Sequence, residues 1–140
     1  MSKSEKTIDV KVERVIEAAP SKVYAAWLNP KVKGTPWNMG EMILMTPKVN
    51  GFFYWRVHGT PHYGRFIKLD RSRRIQHTWM SPYTEGQETT VTVTFTKKGA
   101  NTVMTLVHAD LPDNAKGKAH IEGWNQFMDS FPQYFKKKKK

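Results

Sequence analysis

The sequence contains no cysteine among its 140 residues, which excludes a disulfide framework, a thiolate metal site and a cysteine nucleophile. It also lacks any run close to the ~20 consecutive apolar residues that a membrane-spanning helix needs. The first residues, MSKSEKTID, contain no apolar segment of the signal-peptide type. We therefore expect a soluble, cytoplasmic protein with no membrane span.

Glycine-based catalytic and phosphate-binding motifs are missing as well. The chain has no G-x-S-x-G, no Walker glycine loop and no G-x-G-x-x-G. These motifs mark serine hydrolases, P-loop proteins and dinucleotide-binding proteins, respectively, so those three classes have no support.

Acidic residues are scarce, with 12 Asp and Glu against 23 Lys and Arg, which gives a net charge of +11. Five of these charges belong to the terminal run 136–140, and a further basic cluster is Arg71-Ser72-Arg73-Arg74. Contiguous like charges are typical of solvated loops and tails. Because the aromatic residues follow the buried positions and not this basic surface, we expect no specific nucleic-acid partner.

The hydrophobic pattern divides the chain into strands and helices. Thr7–Glu17 alternates as a half-buried strand, and Ser21–Leu28 has the apolar spacing of a short helix. Five turn signals between Glu41 and His108 predict six short antiparallel strands. The period then changes to about 3.6, which predicts a helix from near Asn114 to near Phe135, kinked or ended by Pro132.

This order of elements predicts an α+β fold in which a curved sheet wraps around the last helix. Where curvature exceeds what side chains can fill, a cavity remains. The length favours one folded unit, so we expect a single domain over residues 7–135, a flexible N-terminus at 1–6 and a lysine tail at 136–140.

Several ordered motifs carry a resemblance to a known family. They are Val15–Trp27, Val49-Asn50-Gly51-Phe52-Phe53, Arg74–Trp79, Thr105-Leu106-Val107-His108 and His120-x-x-Gly123-Trp124. Together they resemble the START-like (SRPBCC, Bet v 1-like) superfamily in its AHSA1-like branch, the homologues of activator of Hsp90 ATPase 1. The resemblance implies a helix-grip fold: a curved antiparallel sheet of about seven strands around a long C-terminal helix, with two short helices after the first strand.

The resemblance also implies two functions. The first is binding of a small hydrophobic or aromatic molecule in an internal apolar cavity, where some relatives catalyse cyclase, hydrolase or condensation-type reactions. The alternative is a co-chaperone-like module that stimulates an Hsp90-type ATPase. A role in stress response, a monomer or homodimer and no cofactor are the accompanying expectations.

Strand and helix phase, together with the resemblance, predict a set of cavity residues. They are Trp37, Trp55, Val57, Arg65, His77, Trp79, His108, His120, Trp124 and Phe127. His77 stands where the family has an apolar or aromatic residue, and Arg65 stands where an acidic residue is usual. We expect His77, Arg65 or His108 to supply the polar contact to the ligand.

Three residues are candidates for catalysis: His77, His108 and Glu41. Histidine titrates near neutral pH, so an inward-facing imidazole can act as a general base or as an orienting donor. The alternative for each histidine is a core residue bonded to a carbonyl or hydroxyl, and for Glu41 a solvated strand end. No metal is expected at His108 and His120, because no Cys or acidic residue accompanies them.

Overall fold

The computed structural model describes residues 7–136 and has an α+β architecture of seven strands and three α-helices within that range. In chain order the elements are β1 (Thr7–Ile16), α1 (Pro20–Trp27), α2 (Pro36–Met39), β2 (Met42–Met45), β3 (Phe52–Val57), β4 (Thr60–Asp70), β5 (Arg74–Trp79), β6 (Thr89–Lys98), β7 (Asn101–Pro112) and α3 (Ala115–Ser130). Short 3₁₀ turns occur at Pro82–Thr84 and Phe131–Phe135.

The strands form one antiparallel sheet in the order β1-β7-β6-β5-β4-β3-β2. Strands β2 to β7 are a meander, as the turn signals predict, and β1 returns to pair with β7. Register shifts interrupt the ladder between Ile8 and Val10 and between Phe66 and Lys68. Such bulges bend a strand and increase its twist, which helps the sheet to curve around α3.

The inner face of the sheet follows the period-2 pattern of the sequence. Val91, Val93, Met104 and Leu106 are fully buried, whereas the threonines between them are partly exposed on the other face. Helix α1 packs against β6 and β7 through its own buried residues. One core therefore lies between the sheet and the helices.

Helix α3 begins after a capping residue, Asn114, and ends shortly before a proline, Pro132. The side chain of Asn114 accepts a hydrogen bond from the backbone N–H of Gly117 over 3.1 Å, which satisfies an N–H group that the first turn leaves free. A Cβ at Gly117 would overlap the carbonyl oxygen of Pro112, so glycine permits the close approach of α3 to β7. The α-helix stops at Ser130, two residues before Pro132, and the chain continues as a 3₁₀ turn.

The predicted α+β helix-grip fold is confirmed, including the two short helices after β1. The N-terminal segment 1–6 and all of the lysine tail except Lys136 lie outside the described residues. No helix within the described range is long and apolar enough to cross a membrane.

Candidate ligand-binding cavity

A cavity of about 360 Å³ lies between α3 and the ends of β3, β4 and β5. Its walls are mainly aromatic and come from Trp55, Trp79, Trp124 and Phe127. The ring centroids of Trp79 and Trp124 are 5.1 Å apart, and those of Trp55 and Phe127 are 5.9 Å apart. The four rings therefore form a continuous aromatic surface that links the sheet to the helix.

The helix contributes to this cavity through residues spaced three or four apart. Ala119, His120, Gly123, Trp124 and Phe127 recur at helical spacing, so they share one side of α3. At Gly123 a Cβ would meet no atom within 4 Å. The missing side chain of this glycine leaves open the part of the cavity next to Trp124.

Three histidines contribute to the lining: His58, which is exposed, and two buried ones, His62 on β4 and His120 on α3. Each of the two buried rings is bonded at Nδ1, His62 to the carbonyl of Thr60 over 3.2 Å and His120 to the carbonyl of Gly117 over 3.1 Å. Carbonyls only accept, so both rings carry their proton on Nδ1 and, when neutral, a lone pair on Nε2. Burial lowers the pKa of His62 to about 4 and also lowers that of His120, although nearby carbonyls oppose the shift in each case.

His108 is fully buried beside the cavity and has both ring nitrogens bonded. The indole N–H of Trp124 donates to Nδ1 over 2.9 Å, and Nε2 lies 2.7 Å from the hydroxyl of Thr89. Since indole is only a donor, the proton of the neutral imidazole is on Nε2, which donates to Thr89. The Thr89 hydroxyl in turn donates to the carbonyl of Trp79 over 2.6 Å. Burial holds the pKa of His108 well below 6.5, so this chain of bonds keeps a neutral core histidine in place.

His77 is also sealed in the core, 1% exposed and surrounded by the rings of Trp37, Phe53, Phe66 and Trp79. Its Nδ1–H donates to the carbonyl of Thr78 over 2.9 Å, while its Nε2 has no partner among the described residues. Burial lowers the pKa of this ring to about 4. The histidine therefore points inward as predicted, but it lies behind Trp79 and does not line the cavity.

The other predicted site residues occupy three different environments. Trp37 is buried behind the cavity, where its indole N–H donates to the carbonyl of Trp27 over 2.9 Å. Arg65 lies on the outer face of β4 and donates to the side chain of Asn50 over 3.0 Å. Glu41 is exposed at the surface, 3.4 Å from the guanidinium of Arg56.

Six of the ten predicted ligand-binding residues line the cavity: Trp55, Val57, Trp79, His120, Trp124 and Phe127. Four do not: Trp37, Arg65, His77 and His108. His77, Arg65 and His108, from which the polar contact was expected, are therefore not in the lining, whose histidines are His58, His62 and His120. His58 and His62 were not among the predicted residues. His62 could have been found, because it is in phase with the inward-facing Phe66 four residues further along β4.

Charged side chains are absent from this lining: among the residues that the structure describes, no Asp, Glu, Lys or Arg contributes to it. Within residues 7–136, no group of three or more His, Cys, Asp or Glu side chains is placed to hold a metal ion. The cavity offers aromatic faces, imidazoles and small polar groups such as the side chains of Thr60, Tyr83 and Gln126.

A curved seven-stranded antiparallel sheet closed by a C-terminal helix, with an apolar cavity between them, defines a helix-grip protein of the SRPBCC type. Within that class the chain belongs to the Activator of Hsp90 ATPase homolog 1-like protein family, whose model matches residues 17–136. The resemblance drawn from the sequence motifs is thereby confirmed. Comparison with the curated proteins finds no match.

Solved structures share this fold at low sequence identity. A protein from Chromobacterium violaceum superposes with a TM-score of 0.75 at 20% identity, over 93% of this chain and 98% of the other. An HSP90 activator from Plasmodium falciparum gives 0.70 at 20% identity, over 90% and 91% of the two chains. The Aha1 dimer from Colwellia psychrerythraea gives 0.69 at 18% identity, over 86% and 90%.

Proposed function

We propose that the protein binds a small hydrophobic or aromatic molecule in the cavity between α3 and the sheet. The observation that carries this proposal is an aromatic wall that borders a cavity of about 360 Å³. The wall consists of the rings of Trp55, Trp79, Trp124 and Phe127. Ligand sites are typically concave and apolar, with a few polar groups that set orientation, and volumes start near ~300 Å³. Indole and phenyl faces favour flat ligands, because offset and edge-to-face contacts add to apolar burial.

The proposal concerns binding and includes no reaction. The two histidines that the sequence suggested as general bases, His77 and His108, lie outside the lining, and His108 has both ring nitrogens bonded. Glu41 is exposed and pairs with Arg56. None of the three groups selected for catalysis lines the space in which a ligand would lie.

A titration with naphthalene, in which binding is measured by calorimetry and by tryptophan emission, tests the proposal. Gly123→Leu extends a side chain into the open space at this position, so we expect it to weaken binding by at least about tenfold while the helix keeps its stability. Glu122→Leu is the matched control, because it adds the same side chain at the neighbouring exposed position. Absence of binding to the unmodified chain, or equal binding by the Gly123→Leu variant, would contradict the proposal.

A second candidate function is stimulation of an Hsp90-type ATPase. The observation that favours it is the match to the Activator of Hsp90 ATPase homolog 1-like family, together with the likeness to a structure described as an HSP90 activator. The ATPase rate of an Hsp90-type chaperone, measured with and without this chain, tests it directly. An unchanged rate at saturating concentrations of the chain would refute this second candidate.

A further inference from the structure

We infer that the cavity selects an uncharged, planar aromatic molecule carrying an O–H or N–H donor, which His62 and His120 accept through Nε2. This inference rests on the proposed binding function and adds the chemical class of the ligand. It follows from the charge of the lining, the orientation of the two imidazoles and the nature of the walls.

The lining argues against an ionised ligand. The chain has 23 Lys and Arg residues, yet in the part that the structure describes none of them contributes to the cavity, and no Asp or Glu does either. A carboxylate or an ammonium group taken into an apolar site without a counter-charge loses far more hydration energy than it regains. A fatty acid, a phosphate ester or a protonated amine is therefore disfavoured at this site.

The two buried histidines of the lining, His62 and His120, define the polarity of the group that is recognised. Both rings use Nδ1–H to donate to a backbone carbonyl, that of Thr60 for His62 and that of Gly117 for His120. In a neutral imidazole the other nitrogen is then an acceptor. Neither Nε2 has a hydrogen-bond partner within residues 7–136, and neither is sealed from solvent in the way that Nε2 of His77 is.

The two histidines also approach the cavity from opposite sides. His62 lies on the sheet, where its ring centroid is 4.7 Å from that of Trp55 and 5.1 Å from that of Trp79. His120 lies on the helix, with its ring centroid 5.0 Å from that of His108. A flat ligand between the indole walls thus meets an acceptor at the sheet and another at the helix.

Three probes of one shape test this inference: 2-naphthol, 2-methylnaphthalene and 2-naphthoate, measured by calorimetry at pH 7. We expect 2-naphthol to bind most tightly. Its affinity should exceed that of 2-methylnaphthalene by roughly threefold to tenfold, which corresponds to one net hydrogen bond. The naphthoate should bind at least about tenfold more weakly than the naphthol, because the lining offers no counter-charge.

The same probes on variants assign the acceptors. His62→Phe combined with His120→Phe keeps the aromatic walls but removes both acceptors, so the naphthol should lose its advantage over the methyl compound. His77→Phe makes the same change outside the cavity and should leave that advantage intact. The inference is overturned if the double variant keeps the preference, if the unmodified chain binds naphthol and methylnaphthalene equally, or if naphthoate binds most tightly. If none of the three probes binds, the proposed function itself fails.

Discussion

The indole N–H of Trp124 on α3 donates to Nδ1 of His108 on β7 across 2.9 Å. This bond fixes the tautomer of a fully buried imidazole, because a donor-only partner leaves the ring proton on Nε2. The pair therefore joins α3 to the sheet at the back of the cavity, where Trp124 also forms part of the wall.

Trp124→Phe should destabilise the protein through this bond as well as through lost packing. The substitution leaves Nδ1 of His108 buried without a donor, at a cost of about 1–3 kcal/mol. Trp27→Phe is the matched control, because Trp27 is equally buried and its indole N–H has no partner within the described chain. Urea denaturation should show the larger loss of unfolding free energy for Trp124→Phe, and equal losses would show that the bond contributes nothing.

Thr89→Val tests the other end of the same hydrogen-bonded chain. The threonine hydroxyl accepts from His108 and donates to the carbonyl of Trp79, so valine leaves two buried polar groups without partners. We expect a loss of about 2–4 kcal/mol in unfolding free energy. Thr94→Val, on the partly exposed outer face of the same strand, should change stability by less than about 0.5 kcal/mol. Similar effects of the two substitutions would contradict this account.

The stability of the protein should fall as the pH drops from about 6.5 towards 4. The ordinary histidine pKa is 6.5, and burial lowers that of His77 to about 4. Between these two pH values the unfolded chain therefore binds a proton at His77 that the folded chain does not bind. The contribution of the neutral ring to the free energy of unfolding is fully present only above this pH range. His77→Phe should reduce the slope of unfolding free energy against pH by up to about 1.4 kcal/mol per pH unit.

Denaturation curves at pH 7, 6, 5 and 4 measure that slope. The other titratable groups are the same in the unmodified chain and in His77→Phe, so the difference between the two slopes isolates the histidine. His58→Asn replaces an exposed histidine and serves as the control. A slope that stays the same in His77→Phe would show that the ring takes up its proton over the same pH range in the folded chain as in the unfolded chain.

Two glycines of α3 should respond in opposite directions to alanine. Gly117→Ala places a Cβ against the carbonyl oxygen of Pro112 and forces the helix away from β7, so we expect destabilisation by about 2 kcal/mol or more. Gly123→Ala meets only open space and should stabilise by up to about 1 kcal/mol through helix propensity. Thermal denaturation of both variants checks this, and a shift of the same sign in both would refute it.

Periodicity predicted the fold well because the inner face of each strand repeats every second residue. Val91 and Val93 on β6 and Leu106 on β7 are buried as their phase requires. Pro132 predicted a kink or an early end in a helix that reaches Phe135, and the α-helix ends at Ser130, from where a 3₁₀ turn continues to Phe135. The family model matches residues 17–136, and the motifs that resemble this family predicted the helix-grip arrangement more specifically than periodicity alone.

The site was only partly predictable, because phase indicates the face on which a side chain lies and not its depth. His77 and Trp79 share the inner face of β5, yet the indole of Trp79 reaches the cavity and the imidazole of His77 stays behind it. For Arg65 the phase itself was informative, since Tyr63 and Ile67 on the same side of β4 are exposed. Applied to His62, that alternation predicts the inner face on which the structure places it.

The pairing of β1 with β7 also sets an order of events during synthesis. Thr7 pairs with Pro112, and Ile16 pairs with Thr102, so the partner of the first strand is the last strand to be made. At roughly 5–20 residues per second, ribosomes need on the order of 5–20 s to synthesise the intervening chain. The β2–β7 meander can assemble from neighbours as it emerges, whereas β1 must wait, with Val10, Val12 and Ile16 uncovered until the sheet that receives them exists.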